Sequence, residues 1–308
     1  MITKFLYTDL FNWKFILGIF ISILGLLYAF KNFELNRLLT IADRIDFVYI
    51  FLAILLLLLS VYIRALRWQL LFKGIKPSIN KLFGSQLIGY FGNNIFPLRA
   101  GELLRCVFLS KYYKISKSTV FGTVVLERVL DLLGMIILLG FLLLLKENHI
   151  DIIYLIIAIS LIIILFIVHK FNFFYEGSNK ILLIIHNVID GFKGLNHKNF
   201  LPIIFYTVSI WSIYVMMVYL VQYSIDLNLT VINCIFILFI SSLALSIPSA
   251  PANIGTFEFS VVYAMGMIGS SLYQLEFAII LHLITFFPYT IIGGLFFVYY
   301  NYQLLNKE

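Results

Sequence analysis

Charge is scarce in this chain. Asp, Glu, Lys and Arg make up 12% of its 308 residues, against roughly 25% in a typical soluble domain. A water-soluble fold of this size is therefore excluded. Cysteine is nearly absent. Cys106 and Cys234 are the two thiols; they show neither metal-ligand spacing nor a disulfide framework, and we read both as packing residues. There is no HxxE or Cys/His metal pattern, no phosphate-binding nucleotide loop and no Ser/His/Asp arrangement, so neither a cofactor nor a metal is expected. What the chain has instead is apolar length: 62% of its residues are hydrophobic, in repeated runs of about 20 that read as transmembrane helices. The net charge of +7 would suggest nucleic acid in a soluble protein. Here the positive-inside rule and anionic lipid account for it, and no nucleic-acid partner is expected.

The expected fold is all-α: a single polytopic membrane domain over residues 1–308 with about eight spans and two broken or re-entrant segments, near 82–105 and 248–258. The spans fall at residues 13–30, 47–63, 119–145, 152–168, 201–221, 231–247, 257–268 and 278–300. The first could pass for a signal peptide, but Ala29 sits between Tyr28 and Phe30, which makes no small-residue cleavage site, so we read it as uncleaved. Residues 31–46 read as a small loop, and 181–189 as an amphipathic helix on the cytoplasmic surface. At the end of the second span, Trp68 reads as an interface anchor, with Arg64 and Arg67 snorkelling to headgroups. Loop charges orient the first six spans, and parity with the tail lysine Lys307 the last two, which puts both termini on the cytoplasmic side of the plasma (inner) membrane.

Residues 82–97 carry basic residues on both flanks, and sixteen residues of helix reach only about 24 Å, less than the ~30 Å hydrocarbon core. A re-entrant hairpin and an interfacial helix both satisfy these facts. Gly84, Gly89, Gly92, the pair Asn93-Asn94 and Pro97 read as interruptions, followed at once by Gly101, Arg99, Glu102 and Arg105. Backbone that breaks at membrane depth must be buried in protein or line a cavity. The third span carries Glu127, Arg128 and Asp131 near its midpoint. Glu127 and Asp131 share a helical face, and Arg128 is within reach of Asp131. Charges at that depth point into the protein, either as a functional site or as a self-neutralised structural cluster. A second break holds Pro248, Pro251, Asn253 and Gly255, with Glu258 opening the next helix near its positive dipole end. His282, alone in the last span, reads as a packing residue. Each break has a proline, a glycine four residues on and a glutamate soon after, and paired broken segments point to a transporter's midplane site.

Asn93–Arg105 with its P-x-R-x-G-E-x-x-R core, Glu127-Arg128-x-x-Asp131 and the P-x-x-P-x-x-x-G-x-x-E pattern ending at Glu258 together resemble the lysylphosphatidylglycerol synthase transmembrane-region family. This is the flippase-like fold at the front of bacterial multiple peptide resistance factors. The resemblance covers nearly the whole chain. One departure is that Ala252-Asn253 stands where the family commonly has Gly-Gly. Larger members add a soluble aminoacyl-transferase domain; this chain ends at Glu308, so the resemblance implies lipid translocation or handling without lysine transfer.

The function expected is a lipid flippase or transporter for a phospholipid or polyprenyl-phosphate headgroup. Arg99, Arg105 and Arg128 would hold the phosphate, since guanidinium forks match its oxygens. Glu102, Glu127, Asp131 and Glu258 would neutralise unoccupied arginines or bind a cationic, aminoacylated headgroup. The partners are membrane lipids, with a homo-oligomer or a separate lipid-modifying enzyme as further classes. Two other readings are a membrane-embedded transferase acting on a lipid-linked substrate through a buried general base, and a non-catalytic membrane subunit whose charges serve assembly.

Overall fold

A computed structural model describes residues 13–31, 33–96, 100–144, 197–245, 249–270 and 272–305. The expected span at 152–168 and the amphipathic segment at 181–189 lie outside these residues, as do Pro97, Arg99 and Pro248. Among the described residues the structure is all helical: α1 (Trp13–Ala29), α2 (Leu35–Ala42), α3 (Phe47–Leu70), α4 (Ile79–Ile95), α5 (Gly101–Tyr113), α6 (Lys117–Leu144), α7 (His197–Tyr223), α8 (Val231–Ala244), a 3-10 turn (Pro251–Asn253), α9 (Thr256–Met267) and α10 (Gln274–Leu305).

By length and composition, three helices can cross a membrane: Phe47–Leu70, Lys198–Tyr223 and Gln274–Leu304. Their outer faces are apolar. On α3 the exposed residues Phe47, Phe51, Leu55, Leu59 and Tyr62 form a stripe, and on α10 Leu283, Phe287, Ile291, Leu295 and Val298 form another. Such stripes on long, mainly apolar helices are what lipid contact requires. α6 is also long enough, about 42 Å at 1.5 Å per residue, but Glu127, Arg128 and Asp131 interrupt its apolar run.

Several expectations are corrected. α3 continues past residue 63 to Leu70. Trp68 and Arg67 are fully buried and Arg64 nearly so, so neither an interface anchor nor snorkelling describes them. The reason is length: seventeen helical residues reach about 26 Å, short of the ~30 Å core, and the two arginines have acidic partners inside. The expected loop at 31–46 contains the helix α2. Its signal was Leu35, Leu38, Leu39 and Ala42 at helical spacing. Gly84, Gly89 and Gly92 do not break the chain, since all lie within α4. At Gly84 an added Cβ would stand 2.5 Å from the Tyr300 hydroxyl, so this glycine serves close helix packing. The interruption comes after Ile95.

The described chain forms two compact units, each assembled from distant segments. The first draws on Met1–Leu57, Phe91–Gly101 and Tyr214–Ile291. Its α9 packs on α8 and α1. Gly18, Ser22 and Gly25 line one face of α1, and a Cβ at Gly25 would come within 2.5 Å of the Gly255 carbonyl oxygen. Small residues let the two backbones approach this closely. Thr230 caps α8 by accepting the Asn233 N–H. The second unit draws on Leu58–Tyr90, Glu102–Ile213 and Ile292–Glu308. Its core includes Ala65, Trp68, Leu71, Leu82, Cys106, Leu109, Val124 and Leu130.

Candidate functional site

In the second unit, helical spacing delivers charge from three helices. Arg64 and Arg67 stand three residues apart on α3, Glu102 and Arg105 three apart on α5, and Glu127 and Asp131 four apart on α6, so each pair shares a face. Arg64 Nη1 donates to both Asp131 oxygens, at 3.0 and 2.9 Å. Arg67 Nη2 donates to Asp131 Oδ1 at 2.7 Å, and its Nη1 to Thr207 Oγ1 at 3.0 Å. Arg105 donates to Glu127 Oε2 and Gln86 Oε1, both at 2.7 Å, and to Glu102 Oε2 at 2.8 Å. Gln86 Nε2 in turn donates to Glu127 Oε1 at 2.9 Å. Arg128 joins the two halves, pairing with Glu102 at 3.1 Å and Asp131 at 3.4 Å. The guanidinium of Arg105 also lies over the Trp68 ring, 4.8 Å from its centroid, a favourable cation–π placement.

Four guanidinium groups thus meet three carboxylates, and the network carries one net positive charge. Its exposure is graded. The Arg67 and Glu127 side chains are fully buried and Arg105 is 2% exposed, while Glu102 is 23% and Arg128 46% exposed. Every carboxylate is engaged by at least two donors, so the acidic groups have little capacity left for an incoming cation. The Nε of Arg67 is buried without an acceptor. The surplus in this network is of positive charge and of donors, and it is reachable through Arg128.

Of the sequence-predicted site residues, Glu102, Arg105, Glu127, Arg128 and Asp131 are therefore brought together. Arg64, Arg67, Gln86 and Thr207 join them unpredicted. A signal for the arginines existed in their three-residue spacing at the end of an apolar run; Gln86 and Thr207 gave none. The helix-break residues hold the connection into α5. Asn93 and Asn94 lie within α4, and Asn93 Oδ1 accepts the Gly101 N–H at 3.0 Å, capping α5. Asn94 Nδ2 donates to Thr290 Oγ1 at 2.9 Å and to the Phe286 carbonyl at 3.3 Å, on either side of Pro288.

Glu258 belongs to the first unit and has different company. It is the third residue of α9 and reaches back to accept the Gly255 N–H through Oε2 at 2.7 Å, half of a capping box. Its Oε1 lies 2.6 Å from His282 Nδ1, and His282 Nε2 lies 3.0 Å from the Ala252 carbonyl oxygen. Both side chains are buried. Pro251 starts the 3-10 turn, and Ala252, Asn253 and Gly255 follow with φ of 57°, 60° and 87°. Positive φ suits glycine and strains alanine, which is why Gly-Gly would sit naturally where this chain has Ala252-Asn253. Ser249 Oγ donates to Asn253 Oδ1, and Ser22 Oγ accepts the Ala250 N–H, which pins the loop to α1. His282, expected only to pack, is instead the partner of Glu258. Among the described residues no group of three or more His, Cys, Asp or Glu could hold a metal.

The profile of the family described as "Lysylphosphatidylglycerol synthase TM region" matches residues 15–293. A UPF0104 membrane protein of Methanocaldococcus jannaschii is 30% identical over 230 residues, covering 70% of this chain and 97% of that protein. A second UPF0104 membrane protein of that organism is 35% identical over 36% of this chain and 34% of its own length. One from Pyrococcus horikoshii is 35% identical over 43% of this chain and 42% of its own. No solved structure matches. With the profile spanning most of the chain and long apolar helices to match, the protein is a multi-pass membrane protein belonging to the lysylphosphatidylglycerol synthase TM region family and, within it, grouping with the UPF0104 membrane proteins.

Proposed function

We propose that this protein is a lipid flippase or transporter that carries a phosphate-bearing headgroup past the arginine–carboxylate network of its second unit. The observation that carries this reading is Arg128. It is the exposed end of a network whose other three arginines are buried and whose carboxylates are already engaged. Guanidinium forks match phosphate oxygens geometrically and stay charged at any accessible pH. The single net positive charge matches a phosphodiester monoanion. An aminoacylated lipid would be held by its phosphate, since Glu102, Glu127 and Asp131 are occupied by arginines. Arg99, near α5 in sequence, joins the reading on sequence grounds alone.

The arrangement proposed with it is eight spans in the plasma (inner) membrane, both termini cytoplasmic, with re-entrant segments at the two breaks. The headgroup passes through protein while the acyl chains stay in lipid. A homo-oligomer or a separate lipid-modifying enzyme would be its protein partner. The test is movement of a headgroup-labelled phospholipid in proteoliposomes. Arg128→Ala should abolish it while leaving the protein folded. Full retention of movement in that variant would overturn the assignment.

A further inference from the structure

We propose that Glu258 and His282 form a binding site for a single proton, and that its occupancy holds the Pro251–Gly255 break closed. Each ring nitrogen of His282 faces one polar atom. Nε2 looks at the Ala252 carbonyl oxygen, which can only accept, so Nε2 must carry hydrogen. The opposite tautomer would set two lone pairs against each other. Nδ1 looks at a carboxylate oxygen 2.6 Å away. A contact that short between a nitrogen and an oxygen needs a proton in it. Two arrangements supply one: imidazolium with carboxylate, or neutral imidazole with carboxylic acid. They have the same composition and differ only in which atom holds the shared proton. Loss of that proton to solvent leaves a neutral imidazole with one N–H between two acceptors, so a bare ring nitrogen must face either the Glu258 carboxylate or the Ala252 carbonyl oxygen, and one of the two contacts becomes repulsive.

The surroundings make this proton consequential. Its two holders lie on different helices, α9 and α10, and His282 also grips Ala252. Ala252 and Asn253 sit at positive φ, a conformation that persists only while its neighbours enforce it. The ionisable groups on the packed elements do not offer a substitute. From Leu17 onward α1 carries only Tyr28; α8 carries only Cys234; α9 adds Tyr263; and α10 as far as Ile291 adds Glu276 and Tyr289. The described side chains of these segments include no lysine or arginine, so His282 is the cation available to Glu258. Glu258 keeps one further stabilising contact in either state, the Gly255 N–H. When the proton leaves, His282 can no longer donate to both partners, its bridge between Glu258 and Ala252 fails and the strained turn is free to relax. The site is built wholly within the first unit, and its proposal does not depend on the arginine network or on lipid movement.

A glutamine at position 258 copies the protonated state. Its amide NH2 can donate to Nδ1 while its oxygen accepts the Gly255 N–H, and it cannot lose the proton. The test is hydrogen–deuterium exchange of the amides at 252–256 in the full-length protein in nanodiscs, across a pH series, for wild type and Glu258→Gln. The expected result is equal protection at acid pH and, as pH rises, exchange in wild type that outruns Glu258→Gln at the same pH by about tenfold or more. Parallel profiles for the two proteins would overturn the proposal. Should Glu258→Gln not fold, nitrogen-15 spectra of histidine-labelled wild type decide the matter, with His282 assigned by its absence in His282→Gln. The proposal requires Nε2 protonated and Nδ1 on the shared proton while the loop is closed, and a neutral imidazole with a single N–H and no shared proton once it opens. A bare Nε2 in the closed loop, or an imidazole that stays doubly protonated through the opening, refutes it.

Discussion

Asp131 and Glu258 are both buried carboxylates on apolar helices, yet they are neutralised by different chemistry. Asp131 is held by Arg64, Arg67 and Arg128. Glu258 is held by one imidazole and one backbone N–H. A guanidinium does not lose its proton in a protein, whereas an imidazole can. The arginine network is therefore charged under all conditions and suits a permanent anion such as a phosphodiester. The Glu258–His282 pair suits a ligand that comes and goes with pH. Redundancy differs too. Asp131 has three cationic partners, whereas Glu258 has one ionisable partner and depends on the proton it shares with it.

The largest test of this contrast is Arg105→Ala. It strips Glu127 of its cation and Glu102 of one partner, and leaves buried charge unpaired. The expected cost is about 3–5 kcal/mol, read as lowered resistance to unfolding in detergent micelles. A cost below about 1 kcal/mol would mean the network is solvated and resembles a surface cluster. Ala252→Gly should act in the opposite sense at the other site. It relieves a left-handed alanine and should raise stability by about 0.5–1 kcal/mol, the strain being partly offset by glycine's greater freedom when unfolded. Unchanged or lowered stability would show that the turn is not strained. The smallest stability effect belongs to Arg128→Ala, less than about 1 kcal/mol because its pairs are partly exposed. That variant can thus separate transport from folding.

Much of this was legible in the sequence. Apolar runs placed α1, α3, α6, α7, α8 and α10 because burial in lipid or protein demands them, and the two breaks stood out because proline and glycine are conspicuous inside such runs. The Glu127–Asp131 face followed from helical periodicity, and so did its need for cationic partners. Which cations these were did not follow. Arg64 and Arg67 looked like residues at the membrane edge because the span was drawn to stop before them, and only tertiary packing shows α3 carrying them inward. His282 was missed for a related reason. A single histidine has no spacing pattern, and its meaning comes from Glu258 and Ala252, residues distant in sequence. Gly84 misled in the other direction, because a glycine needed for close packing by Tyr300 cannot be told from a helix breaker by its identity alone.

If the proposed function holds, Arg128 meets a lipid phosphate. The most direct measurement is magnetisation transfer between arginine guanidinium nitrogen-15 and lipid phosphorus-31, in the full-length protein reconstituted in phospholipid, compared with Arg128→Gln. The account predicts a nitrogen–phosphorus contact within about 4 Å, the reach of a charge-assisted hydrogen bond, that disappears in the variant. Identical spectra from the two proteins would contradict it.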